Sequence, residues 1–371
     1  MNAYLETIRI ALLIFPFIAF LLSIPFILWQ YHKFGSISFI KSVLLYCFAL
    51  YLTCAYLLVI LPLPKIEEVA KMTSPRTQLI PFDFVVDFIK HTQLRLFDPS
   101  TYLPALTESY SYVPLYNILL TIPFGIFLHY YFELNFKQTL IATFSLSLFF
   151  ELTQLSGLYF IYPRGYRLFD VDDLILNTLG GVIGFWLAPA FSKILPSRQS
   201  LDAKTRARGR RVSGFRRTVA FLLDLAIWLV FYLVLEFTFS SYYKNSFVFL
   251  FSSIAIYYFA IPTLLPCCTL GTKFLALQVV DSENHPNLPR FYLREFILIA
   301  SFLIFPVLVF AILQTASSLA LYEEFIFVIL LVAYLIFCGL SAIRFVFTNR
   351  PMFYERLSKT TLVSTIPDSE S

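Results

Sequence analysis

Glu151 and Gln154 stand one helical turn apart in a largely apolar run, and Arg164, Arg167, Asp170, Asp172, Asp173 and Asn177 follow directly after it. Asn117 lies in the preceding apolar run. Carboxylates, guanidinium groups and amides gathered in this way can form an acid–base pair, a clamp for a phosphate, or a hydrogen-bonding pocket. An ionisable residue inside a membrane-length run is costly and marks a functional site by default. The plainer readings are local. Asp170 or Asp172 caps a helix and Arg167 pairs with it, while Glu151 is protonated and hydrogen-bonded between helices. Asp170, Asp173 and Asn177 are spaced i,i+3 and i,i+4, so a helix beginning near Asp170 puts them on one face, with the acids at its favourable end. A second pair, Arg217 and Asp224, lies seven residues apart near the start of a later run. It reads either as an internal ion pair or as part of a cation or proton relay.

The elements that hold these residues follow from composition. The chain has 371 residues, 58% of them hydrophobic and only 14% charged, with a mean hydropathy of +0.75. A soluble domain carries about 25% charge, so a soluble globular protein is excluded and an all-α polytopic membrane bundle is expected. Runs of roughly 20 apolar residues cross the hydrocarbon. Nine are found, at Ile8 to Gln30, Val43 to Leu63, Tyr112 to Phe132, Thr139 to Phe160, Leu174 to Leu195, Thr218 to Phe239, Phe247 to Pro266, Phe296 to Ser318 and Phe325 to Phe345. None alternates with the period of a barrel strand, so helices are the spanning solution. The first run is longer than a usual signal core, and Glu6 weakens the positive start such signals carry, so it is expected to be retained.

Orientation follows the basic residues. An outside amino terminus and an inside carboxyl terminus leave most of the 28 Lys and Arg residues inside, including those between Lys193 and Arg217. This basic linker has little aromatic interleaving, so anionic lipid headgroups rather than nucleic acid are its expected contact. It also divides the chain into 1–196, a linker at 197–217, and 218–371. With this topology Glu151 lies roughly 13 Å below the outer surface, Gln154 roughly 9 Å and Asn177 roughly 5 Å, counting the rise of a helix. Asn117 is similarly shallow, so the polar cluster belongs to the outer half of the membrane. Cys47, Cys54, Cys267, Cys268 and Cys338 form no C-x-x-C pair, and His32, His91, His129 and His285 are scattered. Neither a disulfide framework, a metal site nor a cofactor is expected.

The residues also carry two resemblances. The stretch from Asn117 to Trp186 contains NILLTIPFG, ELTQL and RLFDVDDLILNTLGG. It resembles the VanZ family, whose pattern has an Asn-x5-Pro-x-Gly helix, an E-x-x-Q helix and R-x-x-D-x-D-D-x-x-x-N-x-x-G, and the likeness would cover roughly Val43 to Pro196. The resemblance implies a bacterial envelope protein that lowers susceptibility to teicoplanin. The second half, about Arg211 to Val363, resembles the RDD family through Arg217, Ala220 and Asp224, the Thr269-Leu-Gly-Thr-Lys block and RPMFYERLSKT. It departs at Thr272, Gln278, Tyr354 and Glu355, which weakens a transport role carried over from that family.

Within the fifth run Gly180 and Gly184 form a small-xxx-small pair, expected to pack on the helix of Glu151. Three functions remain open. The first is a non-enzymatic protein that binds or shields a lipid-linked wall component, or excludes a glycopeptide, through the outer pocket. The second is a membrane-embedded enzyme with Glu151 and Asp170 or Asp173 as acid and base and Arg164 and Arg167 as a phosphate clamp. The third is a proton- or cation-linked transporter using Glu151 and Asp224.

Overall fold

The computed structural model describes residues 2–95, 97–239, 246–305, 321–347 and 351–367. Six described helices are long and apolar enough to cross a membrane, which makes this a multi-pass α-helical membrane protein. They lie within α1 (Asn2–Phe34), α2 (Phe39–Ile60), α6 (Ser109–Tyr130), α9 (Val171–Ile194), α11 (Gly214–Phe239) and α16 (Leu321–Phe347). The fourth expected run forms α7 (Phe136–Leu155), made less apolar by Thr139, Thr143, Ser145, Ser147, Glu151, Thr153 and Gln154. The seventh is the shorter Val248–Leu264, interrupted by a π-helical turn at Ile256–Ala260. The eighth is described only as far as Phe305, and its remainder lies outside the described residues. Leu13, Phe17, Phe20 and Leu21 of α1 are each more than two-thirds exposed. Such a surface is stable only against acyl chains.

The chain forms two compact units, one of residues 1–23 and 39–201 and the other of residues 24–38 and 202–371. In the first, α6 and α9 pack along their length and α7 lies against α9. The small residues explain the closeness. A Cβ on Gly180 would stand 2.2 Å from the Ile118 carbonyl oxygen, and one on Gly184 2.1 Å from that of Ile122. The neighbour of the Gly180–Gly184 face is therefore α6, not the expected helix of Glu151. It is Gly181, one position round, that meets Thr143 of α7. Between α2 and α6 run short elements too brief to span: α3 (Ile66–Ala70), the strand β1 (Thr77–Gln78), α4 (Asp83–His91) and α5 (Tyr102–Leu106). β1 pairs in parallel with β2 (Phe169–Asp170).

The second unit includes α10 (Arg198–Gly209) from residue 202 onward, α11, α12 (Ser246–Ala255), α13 (Ile261–Leu264), α14 (Leu270–Phe274), α15 (Leu288–Ile299), α16 and α17 (Phe353–Ser358). The antiparallel pair β3 (Leu277–Asp281) and β4 (Thr360–Ser364) closes it, in the register Leu277↔Ser364 to Asp281↔Thr360. Leu275, Leu277, Val279, Phe291 and Leu362 form its core with Tyr31 and Ala220. Arg216 is fully buried among carbonyls. Its Nε and Nη2 donate to the Leu275 oxygen, Nη2 also to that of Ala276, and Nη1 to the Gly209 oxygen and to Ser364 Oγ.

Candidate functional site

Helix α9 starts where the sequence places its cap. Asp170 is the N-cap, its carboxylate accepting from the Asp172 N–H at 2.8 Å, and Asp172 and Asp173 occupy the first turn. This arrangement satisfies an orphan amide and sets negative charge at the positive helix end. Burial raises the Asp170 carboxyl above the ordinary carboxylate range even so.

Each carboxylate then turns a different way. Glu151, 2% exposed, accepts the Asp170 N–H at 3.0 Å, tying α7 to the entry of α9. Asp173 accepts from Asn117 Nδ2 on α6. Asn177 donates to Ser147 Oγ on α7 at 2.9 Å, and its buried Oδ1 has no partner among the described residues. Asp172 faces away from this group. Its Oδ1 accepts the Phe82 N–H at 2.6 Å and its Oδ2 the Phe84 N–H at 2.9 Å, so it caps α4 from a distance.

The guanidinium groups hold backbone. The last carbonyls of a helix have no partner within it, and at the end of α2 these are supplied from outside. Arg167 donates to the Val59 oxygen at 2.8 Å and to the Leu61 oxygen at 2.9 Å, and Gln154 Nε2 adds a second bond to Val59 at 3.0 Å. Arg164 donates to the Met72 and Ser74 carbonyls. Arg167 remains exposed and within Coulombic reach of Glu151 and Asp173. It lines a cavity of about 380 Å³ with Ser74, Gln78 and Tyr166. Burial pushes the Tyr166 hydroxyl up to about 12.

Arg164 reaches the segment after α3 and Arg167 the end of α2. Before these two arginines the chain makes a left-handed turn, α8 (Gly157–Phe160), with φ between 53° and 69° at all four residues. This costs an L-residue roughly 1–2 kcal/mol. Only glycine fits at its start, because a Cβ on Gly157 would also stand 2.6 Å from the Arg164 carbonyl oxygen.

Asn117, Glu151, Asp170, Asp173 and Asn177 thus belong to one network across α6, α7 and α9, with Gln154 and Arg167 at the adjoining end of α2. Asp172 and Arg164 organise the connecting segments instead. Ser147 was not singled out from the sequence, although it lies one turn before Glu151 on the same helix face. Thr121, whose Oγ1 donates to the Asn177 carbonyl at 2.6 Å, was likewise overlooked.

Residues 48–192 match the family model VanZ/LLP1. That matched stretch, within the first half of the chain, is similar to the VanZ family. No curated protein and no solved structure matches the chain. The VanZ-like stretch runs from within α2 nearly to the end of α9, so it contains every residue of the network just described.

In the second unit Arg217 and Asp224 do not form the expected ion pair. Seven residues along a helix separate them by roughly 10 Å, and each finds another partner. Arg217 pairs with Glu355 at 3.4 Å. Asp224 accepts from Tyr257 Oη at 2.6 Å, Thr269 Oγ1 at 2.7 Å and the Gly271 N–H at 2.7 Å, capping α14. The sequence reading also passed over the buried pair Arg294 and Glu295.

Proposed function

We propose that the VanZ-like half is a non-enzymatic envelope module that binds the polar head of a lipid-linked wall component at the outer face and so lowers susceptibility to teicoplanin-type glycopeptides. One observation carries this reading. Three helices of the bundle direct Asn117, Glu151, Asp173 and Asn177 into one network, while Arg167 stays exposed at the adjoining end of α2. In the nine-helix topology with the amino terminus outside, that end is the outer leaflet. The segment between α2 and α6 then rests on the membrane. Phe82, Val85, Val86 and Ile89 of the α4 region are exposed, and Ile89 is 71% accessible. A short helix with such a face lies in the interface and leaves a lateral route for a lipid-bearing ligand. The second half is read as an RDD-like domain, with 197–217 as a cytoplasmic basic linker.

The test is glycopeptide susceptibility of a sensitive Gram-positive host, teicoplanin against vancomycin, at matched membrane expression. Wild type should protect against teicoplanin. Glu151→Gln and Asp173→Asn, which keep shape and remove charge, should lose that protection. Protection unchanged in both variants would remove the polar network from the function.

A further inference from the structure

The second unit carries a half-open cavity of about 510 Å³ that the proposed envelope function does not use. Most of its wall is apolar, supplied by Phe221, Leu225, Trp228, Leu298, Phe302 and Phe345. Arg217, Asp224, Arg294 and Glu295 gather at its polar part. All four are more than nine-tenths buried. Their internal pairing is incomplete. The Nε–H groups of Arg217 and Arg294, and Oε1 of the Glu355 that pairs with Arg217, have no hydrogen-bond partner among the described residues. A buried donor or acceptor left unmade costs about 1–3 kcal/mol. Two unpaired donors on side chains that line an apolar chamber of ligand size, with the carboxylates of Asp224 and Glu295 beside them, suit a head bearing both a carbonyl and a hydroxyl.

Charge narrows the class. Among the lining residues the guanidinium groups of Arg217 and Arg294 are matched by the carboxylates of Asp224 and Glu295, so the chamber holds no surplus positive charge for an anionic head.

We infer that this cavity binds a neutral single-chain amphiphile, its acyl chain among the aromatic side chains of the wall and its ester and hydroxyl groups at the polar part formed by Arg217, Arg294 and Glu295. Trp228 reports on the site, because it is one of only three tryptophans and stands in the wall. The full-length protein carrying Trp29→Phe and Trp186→Phe, held in detergent micelles, is titrated with dibromostearoyl glycerol, and with dibromostearate as the anionic arm.

Saturable quenching by the glyceride is expected, at least tenfold weaker in Ser341→Phe, which fills the chamber. In Arg294→Lys, where the charge stays and the Nε–H is lost, it should be about fivefold weaker. Non-saturable quenching that Ser341→Phe leaves unchanged would mean contact with bulk amphiphile and overturn the inference, as would quenching by the fatty acid alone. A second readout needs no substitution. Cys338 also lines the chamber, so the glyceride should slow its alkylation relative to the exposed Cys47. Equal rates with and without glyceride would overturn the assignment.

Discussion

The two units differ in whether their buried charged side chains meet one another. In the first, charged side chains hold backbone: Arg167 takes the end of α2, Asp172 the start of α4, and Glu151 the entry to α9. In the second, Arg216 and Asp224 also hold backbone, but buried charges in addition face one another, as in Arg217 with Glu355 and Arg294 with Glu295. A carboxylate on an amide or a guanidinium on a carbonyl shapes a loop at modest cost, since the partner is a dipole already in place. An ion pair must offset the desolvation of two charges, and either member alone is worse than neither. The first arrangement fixes a segment, whereas the second makes residues interdependent.

That contrast is sharpest in a double-mutant cycle. Arg217→Met alone should cost ~3–5 kcal/mol by stranding Glu355, while adding Glu355→Met should restore most of it. Thermal unfolding in detergent measures both, and additive losses would show that the pair is not coupled. Packing gives the next effect. Gly184→Leu must push the Ile122 carbonyl aside and should cost at least ~3 kcal/mol. Gly339→Leu, where a Cβ would meet nothing within 4 Å, should leave the melting temperature unchanged.

Asp172→Ala should act locally instead. Losing bonds to the Phe82 and Phe84 amides frees the start of α4, so trypsin should cut at Lys90 and Arg95 roughly tenfold faster while the global melt barely moves.

The smallest effect is expected for Asp170→Asn, because asparagine caps a helix about as well as aspartate. It should show in the pH dependence. Burial holds the Asp170 carboxyl above its ordinary 3.8, with the charges of Asp172 and Asp83 adding to the rise. The folded state therefore keeps this proton to higher pH than the unfolded chain, and stability falls as pH rises from 3.8 through the folded value. The asparagine variant should lack that component of the slope.

The sequence discloses what is local. Apolar runs and positively charged linkers announce membrane helices, and Asp170 reads as a cap because its partner is two residues away. What it hides is reach. Asp172 meets an amide 90 residues earlier, Arg167 meets carbonyls at the end of α2, and Glu355 meets an arginine 138 residues before it. No periodicity encodes these distances. The helix that receives Gly180 and Gly184 was also misassigned from spacing, because a small-xxx-small pair announces close approach without naming the neighbour. The tight turn at Gly157, which precedes the arginines holding the end of α2 and the segment after α3, was equally unreadable, since a glycine between two apolar stretches has many other uses.

The position of Arg216 bears on the order of biosynthesis. Its hydroxyl partner, Ser364, is made 148 residues after it. At 5–20 residues per second the ribosome needs roughly 7–30 s to deliver that partner. The arginine's carbonyl partners, Gly209, Leu275 and Ala276, are all made earlier, and the Ser364 hydroxyl of β4 completes the set. The last strand is thus a late closure of the unit: chains ending before Thr360 would lack the hydroxyl partner of this arginine and leave the β3 edge unpaired.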